Sequence, residues 1–177
     1  MRCKVIYIFL FIILCSCKQR QTSNFEYIDY SGHNDRSGSF SFKIFKDGRA
    51  YINHYKGSIY TSMLDNIYID SINVSTQKIL DLKFDSILFG GDNCTSCLSF
   101  CLIIKTMKDK NKIFYLGQDF DTDKLKILQR YIQNIAYILD KSSKSLASND
   151  SITFESWTKD ILQPGPNIFK KYDCKNK

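Results

Sequence analysis

The chain reads as an α+β domain: an antiparallel sheet of about five to seven strands, including two β-hairpins, with two helices at about 76–89 and 122–139 packed on it. Three observations carry this expectation. Phe40, Phe42 and Ile44 alternate with polar residues and lead into Asp47-Gly48, a pair that supplies the positive φ angles of a tight turn between strands. Leu98, Phe100, Leu102 and Ile104 alternate in the same way, and polar residues 108–111 separate them from a return run at 112–116. Leu80, Phe84, Ile87 and Leu88, and again Leu125, Leu128, Ile132, Ile135 and Leu139, recur at helical spacing, which defines apolar stripes facing a sheet.

The 177 residues suit one domain plus tails. An aromatic content of 14%, mostly Phe and Tyr, leans toward β-structure packed on helices. The formal charge is +7, and its lysines are scattered among aspartates. A nucleic-acid reader shows clustered Lys and Arg with interleaved aromatics; this pattern predicts no nucleic-acid partner.

In chain order, residues 18–24 are a polar tether and residues 25–30 a weakly alternating strand. Residues 31–39 concentrate Ser, Gly, Asn and Asp as loops do, which explains every position except His33 and outweighs a catalytic reading of His33, Asp35 and Arg36. The first hairpin spans residues 39–55, with His54 at its end as a surface histidine. Short strands follow at 59–63 and 66–73, where Ile67 and Ile69 alternate with Tyr68. Ser75 is the expected cap of the first helix, and Gly90-Gly91 its end. After the second hairpin Asp121 is the expected cap of the second helix. Residues 141–150 are Ser-rich and read as a flexible loop. Residues 151–157 are an expected edge strand, Pro164-Gly165-Pro166 forbids regular structure, and Trp157 and Phe169 are the expected anchors of this region. The domain thus occupies 25–140, with an extension at 141–177. Hairpin, helix, hairpin, helix repeats as a layout with slight residue identity.

The N-terminus carries the most specific motif. Arg2 and Lys4 precede an apolar run at residues 5–14, closed by Leu14-Cys15-Ser16-Cys17. The run is shorter than the roughly 20 residues that a spanning helix needs, and its layout is that of a cleaved signal. The four closing residues resemble the lipobox of bacterial lipoproteins. That resemblance implies a signal peptide at 1–16, a diacylglycerol on the Cys17 thiol, cleavage after Ser16 and acylation, as by palmitate, of the freed amine. Removing Arg2 and Lys4 lowers the charge from +7 to +5. Lys18 rather than an aspartate follows the cysteine, and the resemblance to proteobacterial lipoprotein sorting signals then implies a periplasm-facing anchor in the outer membrane. One acyl chain holds a protein only marginally, so two or three are needed for a stable anchor.

Cys94, Cys97 and Cys101, with distant Cys174, are the remaining constellation. Three thiols within eight residues are candidate metal ligands, but a closed zinc site wants a second paired knuckle, and both histidines lie far upstream. A thioredoxin-like reading of Cys94-Thr95-Ser96-Cys97 needs the first thiol at a helix N-terminus, whereas a strand follows here. An oxidising compartment favours structural disulfides among the four. Were Cys97 already in the strand, about 13 Å would separate it from Cys101, beyond disulfide reach; Cys101 is then a buried thiol or a partner of Cys174. The sequence carries no phosphate loop, nucleophile elbow or metalloprotease motif, and no cofactor is expected. Asp70-Ser71-Ile72, Asp85-Ser86-Ile87 and Asp150-Ser151-Ile152 resemble the Asp-Ser/Thr-aliphatic pattern that some exported bacterial proteins use for O-glycosylation, with Ser151 in the expected loop.

Over residues 39–139 the layout also resembles small exported domains of unknown function, in which cysteines precede the first strand; here Ser37-Gly38-Ser39 does. The leading expectation is a lipid-anchored, non-enzymatic binding or structural module of the bacterial cell envelope, held to the membrane by its N-terminal lipid and meeting an envelope protein or polymer. The alternatives are a thiol- or metal-dependent protein using Cys94, Cys97 and Cys101, and an inhibitor or immunity-type lipoprotein.

Overall fold

A computed structural model of the chain describes residues 24–34, 38–54, 58–90, 98–117, 120, 122–142, 145–146 and 152–156. Among the described residues eight strands form one sheet: β1 (Tyr27–Asn34), β2 (Gly38–Phe45), β3 (Arg49–His54), β4 (Ile59–Met63), β5 (Ile87–Gly90), β6 (Leu98–Lys105), β7 (Lys110–Gly117) and β8 (Ser145–Leu146). Their spatial order is β5-β7-β6-β1-β2-β3-β4-β8. The six strands from β7 to β4 are antiparallel throughout, with four-residue β5 parallel to β7 at one edge and two-residue β8 at the other. Helices α1 (Asn66–Asp81) and α2 (Asp123–Lys141) lie on one face. This is the α+β class that the sequence predicts.

Alternation builds the core. Ile28, Phe42, Ile44, Ile52, Phe100, Leu102, Ile104 and Tyr115 point to the helical face and are fully buried. Leu125, Leu128, Ile132, Ile135 and Leu139 of α2 pack against them, as their spacing predicts. Thr122 caps α2, its hydroxyl accepting from the Leu125 amide at 3.2 Å; Asp121 lies outside the described residues. Asp123 in the first turn and Lys141 in the last complement the helix dipole.

Several expectations are corrected. The first helix runs over Asn66–Asp81, not 76–89. Its buried set is Ile69, Ile72, Asn73, Thr76 and Ile79, a helical stripe whose two polar members broke the apolar period. Each is satisfied where it is buried: Asn73 accepts from the Asn24 amide at 2.8 Å, and Thr76 pairs with the Tyr131 hydroxyl at 2.9 Å. The short alternation of Ile67, Tyr68 and Ile69 therefore belongs to a helix rather than a strand, and Ser75 bonds the Ser71 carbonyl inside it rather than capping it. Asp65 occupies the N-cap position without a side-chain bond. Lys83, with φ of 47°, ends the helix, and Phe84 and Leu88 reach the core from the crossover into β5.

The expected loop at 31–39 is instead largely strand, because Ser31 to Asn34 pair on both sides with β2 and β6. Ser31 and His33 alternate onto the face away from the helices, and Gly32 lies where a Cβ would collide with the Tyr30 hydroxyl. Last, residues 152–156 are not an edge strand: 155–156 form a turn, and side-chain contacts seat the segment across the non-helical face. Part of the expected flexible loop is β8, paired with Tyr60 and Thr61.

Gly48 closes the first hairpin at φ of 93°, and a Cβ there would lie 2.7 Å from the Leu64 carbonyl oxygen. Gly48→Ala is expected to cost about 1–2 kcal/mol for the left-handed backbone alone. The urea midpoint should fall with the slope unchanged.

Candidate functional site

The face of the sheet away from the helices carries the described chemistry. Strand alternation places Tyr27, Asp29, Ser31 and His33 of β1 on it, and the register sets Lys43 opposite Asp29, Ser41 opposite Ser31 and Ser39 opposite His33. On the other side of β1, Ile103 faces Asp29, Cys101 faces Ser31 and Ser99 faces His33. Asp29, Ser31, Ser41, Lys43, Cys101 and Ser99 are all buried. A charged pair on adjacent central strands costs several kcal/mol per ion in desolvation unless it is paired and hydrogen-bonded. Here Asp29 and Lys43 pair with each other, and the segment 152–156 supplies the hydrogen bonds.

Asp29 Oδ2 accepts from the Glu155 backbone amide at 2.7 Å, and Oδ1 from the Ser156 hydroxyl at 2.5 Å. Ser31 Oγ lies 2.6 Å from Ser156 Oγ; since Ser156 donates to Asp29, Ser31 donates to Ser156. Lys43 Nζ is 3.3 Å from Asp29 Oδ2 and 3.7 Å from Glu155 Oε1. It donates to the Thr153 carbonyl at 2.9 Å and sits 4.7 Å from the centre of the Tyr27 ring, a cation–π distance. The Glu155 carboxylate accepts from the Tyr27 hydroxyl at 2.6 Å and pairs with Lys110. Phe154 is buried beside these contacts.

Electrostatics divides the two carboxylates. Burial raises the Asp29 carboxyl above its ordinary value, against the Ser156 hydroxyl, Lys43 and the Glu155 amide. Hydrogen bonds from Lys110 and Tyr27 hold Glu155 below its ordinary value, and burial with the Glu155 contact pushes the Tyr27 hydroxyl up to about 12. Burial also pushes the Cys101 thiol up to about 11. Metal ligation and thiol exchange use the thiolate, so the environment of Cys101 is tuned against both.

Cys101 is a free, buried thiol in a small cluster with Ile103, Phe114 and Leu116. Cys17, Cys94, Cys97 and Cys174 lie outside the described residues, as do Asp35, Arg36, Ser151, Trp157 and Phe169. Among the described residues, no three His, Cys, Asp or Glu side chains are placed to hold a metal, and no helix is long and apolar enough to cross a membrane. His33 Nδ1 lies 2.9 Å from Ser39 Oγ across the strands. His54 ends β3. A cleft of about 200 Å³ between the helices is lined by Ser71, Ser75, Asn134 and Tyr137 over Ile72 and Ile135.

Sequence reasoning missed Asp29, Lys43, Glu155 and Ser156. The available signal was the charge itself, since Asp29 and Lys43 sit in mid-strand where solvent-facing positions are expected. That β1 and β2 are central comes from the pairing of β1 with β6, 64–78 residues away, and that residues 152–156 cross them comes from contacts over more than a hundred residues. Compared with protein-family models and with curated proteins, the chain matches neither a family model nor a curated protein.

Proposed function

We propose that this chain is a lipid-anchored module of the bacterial cell envelope that faces the periplasm and binds a protein or envelope component without catalysing a reaction. The observation that carries the reading is Leu14-Cys15-Ser16-Cys17 behind the basic start and the apolar run at 5–14. Two features of the domain support the binding part. Its buried ionic groups are committed to holding one short segment against the sheet, and its one described thiol is buried with a raised pKa.

The test is metabolic labelling of the full chain with an alkynyl palmitate in a bacterial host, followed by membrane fractionation. The wild type should take up label and sediment with the outer membrane, and Cys17→Ser should lose both label and membrane association. Label retained by Cys17→Ser would sink the anchor. Label with recovery in the inner membrane would correct the destination.

A further inference from the structure

The segment 152–156 is gripped as a receptor grips a peptide. It enters no strand ladder among the described residues, and its backbone is read by side chains: the Glu155 amide by Asp29 and the Thr153 carbonyl by Lys43. Any peptide offers those two groups. Selectivity comes from the next layer. Tyr27, Lys43 and Lys110 converge on the Glu155 carboxylate, Asp29 and Ser31 on the Ser156 hydroxyl, and Phe154 is buried.

We infer that the Asp29–Lys43 face is a recognition site for a short peptide carrying an aromatic-Glu-Ser sequence, occupied in cis by residues 154–156. The inference names the ligand class of the binding module proposed above and rests on that reading. Main-chain contacts supply affinity and side-chain contacts supply specificity, a division of labour that peptide recognition uses generally. A segment tethered to its own site competes at an effective concentration on the order of millimolar, so a partner peptide must outcompete it or the segment must first be weakened. Cys101 is buried on the same face, opposite Ser31 in the register, and Ser31 is bonded to Ser156; release of the segment is therefore expected to expose the thiol, which provides the readout.

The experiment compares Cys101 alkylation, followed by peptide mapping, in the full chain and in Glu155→Gln/Ser156→Ala. The variant should react at least about tenfold faster, the change of 1.4 kcal/mol in an opening equilibrium being tenfold. Synthetic Ser-Ile-Thr-Phe-Glu-Ser-Trp at millimolar concentration should return the rate toward that of the wild type. The same peptide with Ala for Glu and Ser should not. A folded variant that reacts no faster, or that ignores the peptide, overturns the inference. Hydrogen exchange on the unaltered chain decides it should the variant fail to fold. The Glu155 amide should exchange at least about tenfold faster than those of Ile28 and Leu102, by local opening. Exchange of all three only through global unfolding makes the segment a fixed part of the fold and overturns the inference too. Neither failure touches Cys17 labelling, so the anchor reading stands or falls separately.

Discussion

Asp29→Ala is expected to destabilise the protein by about 3–5 kcal/mol, the cost of removing one partner from a buried ion pair. The loss arises from what the carboxylate leaves behind. The Glu155 amide, the Ser156 hydroxyl and the Lys43 ammonium all direct hydrogens or charge at its two oxygens. A buried donor without an acceptor costs about 1–3 kcal/mol. Lys43→Met in the Asp29→Ala background should add less than it costs alone, because residues in one network couple by about 0.5–3 kcal/mol. Urea unfolding of the two single variants and the double variant measures the coupling. Additivity would mean that Lys43 is held by Thr153 and Glu155 independently of Asp29.

The two carboxylates give opposite pH signatures. Native Asp29 holds its proton more tightly than the unfolded chain does, so its contribution to stability falls as pH rises from its ordinary value of 3.8 through the raised native one. Glu155 contributes fully above its ordinary value of 4.5 and loses that contribution as pH falls through the depressed native value. The stability deficit of Asp29→Asn against wild type should therefore shrink with rising pH across the first window. That of Glu155→Gln should grow across the second.

What the sequence made legible follows from the range of the interactions. Alternation at Phe40, Phe42 and Ile44 and the Asp47-Gly48 turn are local, and they locate the first hairpin; the period of Leu125 to Leu139 is local, and it locates α2. The first helix was misplaced because Asn73 and Thr76 occupy its buried stripe, satisfied by Asn24 and Tyr131, groups 49 and 55 residues distant. Periodicity reads polarity, and these polar residues are buried. The site was illegible for the same reason in stronger form. Asp29 meets Ser156 across 127 residues and Lys43 meets Thr153 across 110, so the sequence shows an ordinary strand charge where the fold makes a buried pair.

Phe100→Ala is expected to cost a similar amount, about 3–5 kcal/mol, by a different route and with a different consequence. Phe100 is fully buried. Its ring stacks on Tyr115 with centroids 5.0 Å apart, and lies 5.7 Å from Tyr30 and 6.2 Å from Phe120, so truncation removes aromatic contacts and leaves a cavity. In a domain of this size the thermal midpoint should fall by roughly 6–20 °C, taking about 2–4 °C per kcal/mol. Phe100 and Cys101 are neighbours in β6 but point to opposite faces, one into the helical core and the other onto the face that residues 152–156 cross. Asp29→Ala should therefore speed Cys101 alkylation under native conditions by loosening that segment. Phe100→Ala, though comparably destabilising, should expose Cys101 only through global unfolding. Thermal melts alone do not separate the two variants, whereas alkylation rates measured well below both midpoints do. Equal acceleration in both would mean that the two faces of the sheet open as a single unit.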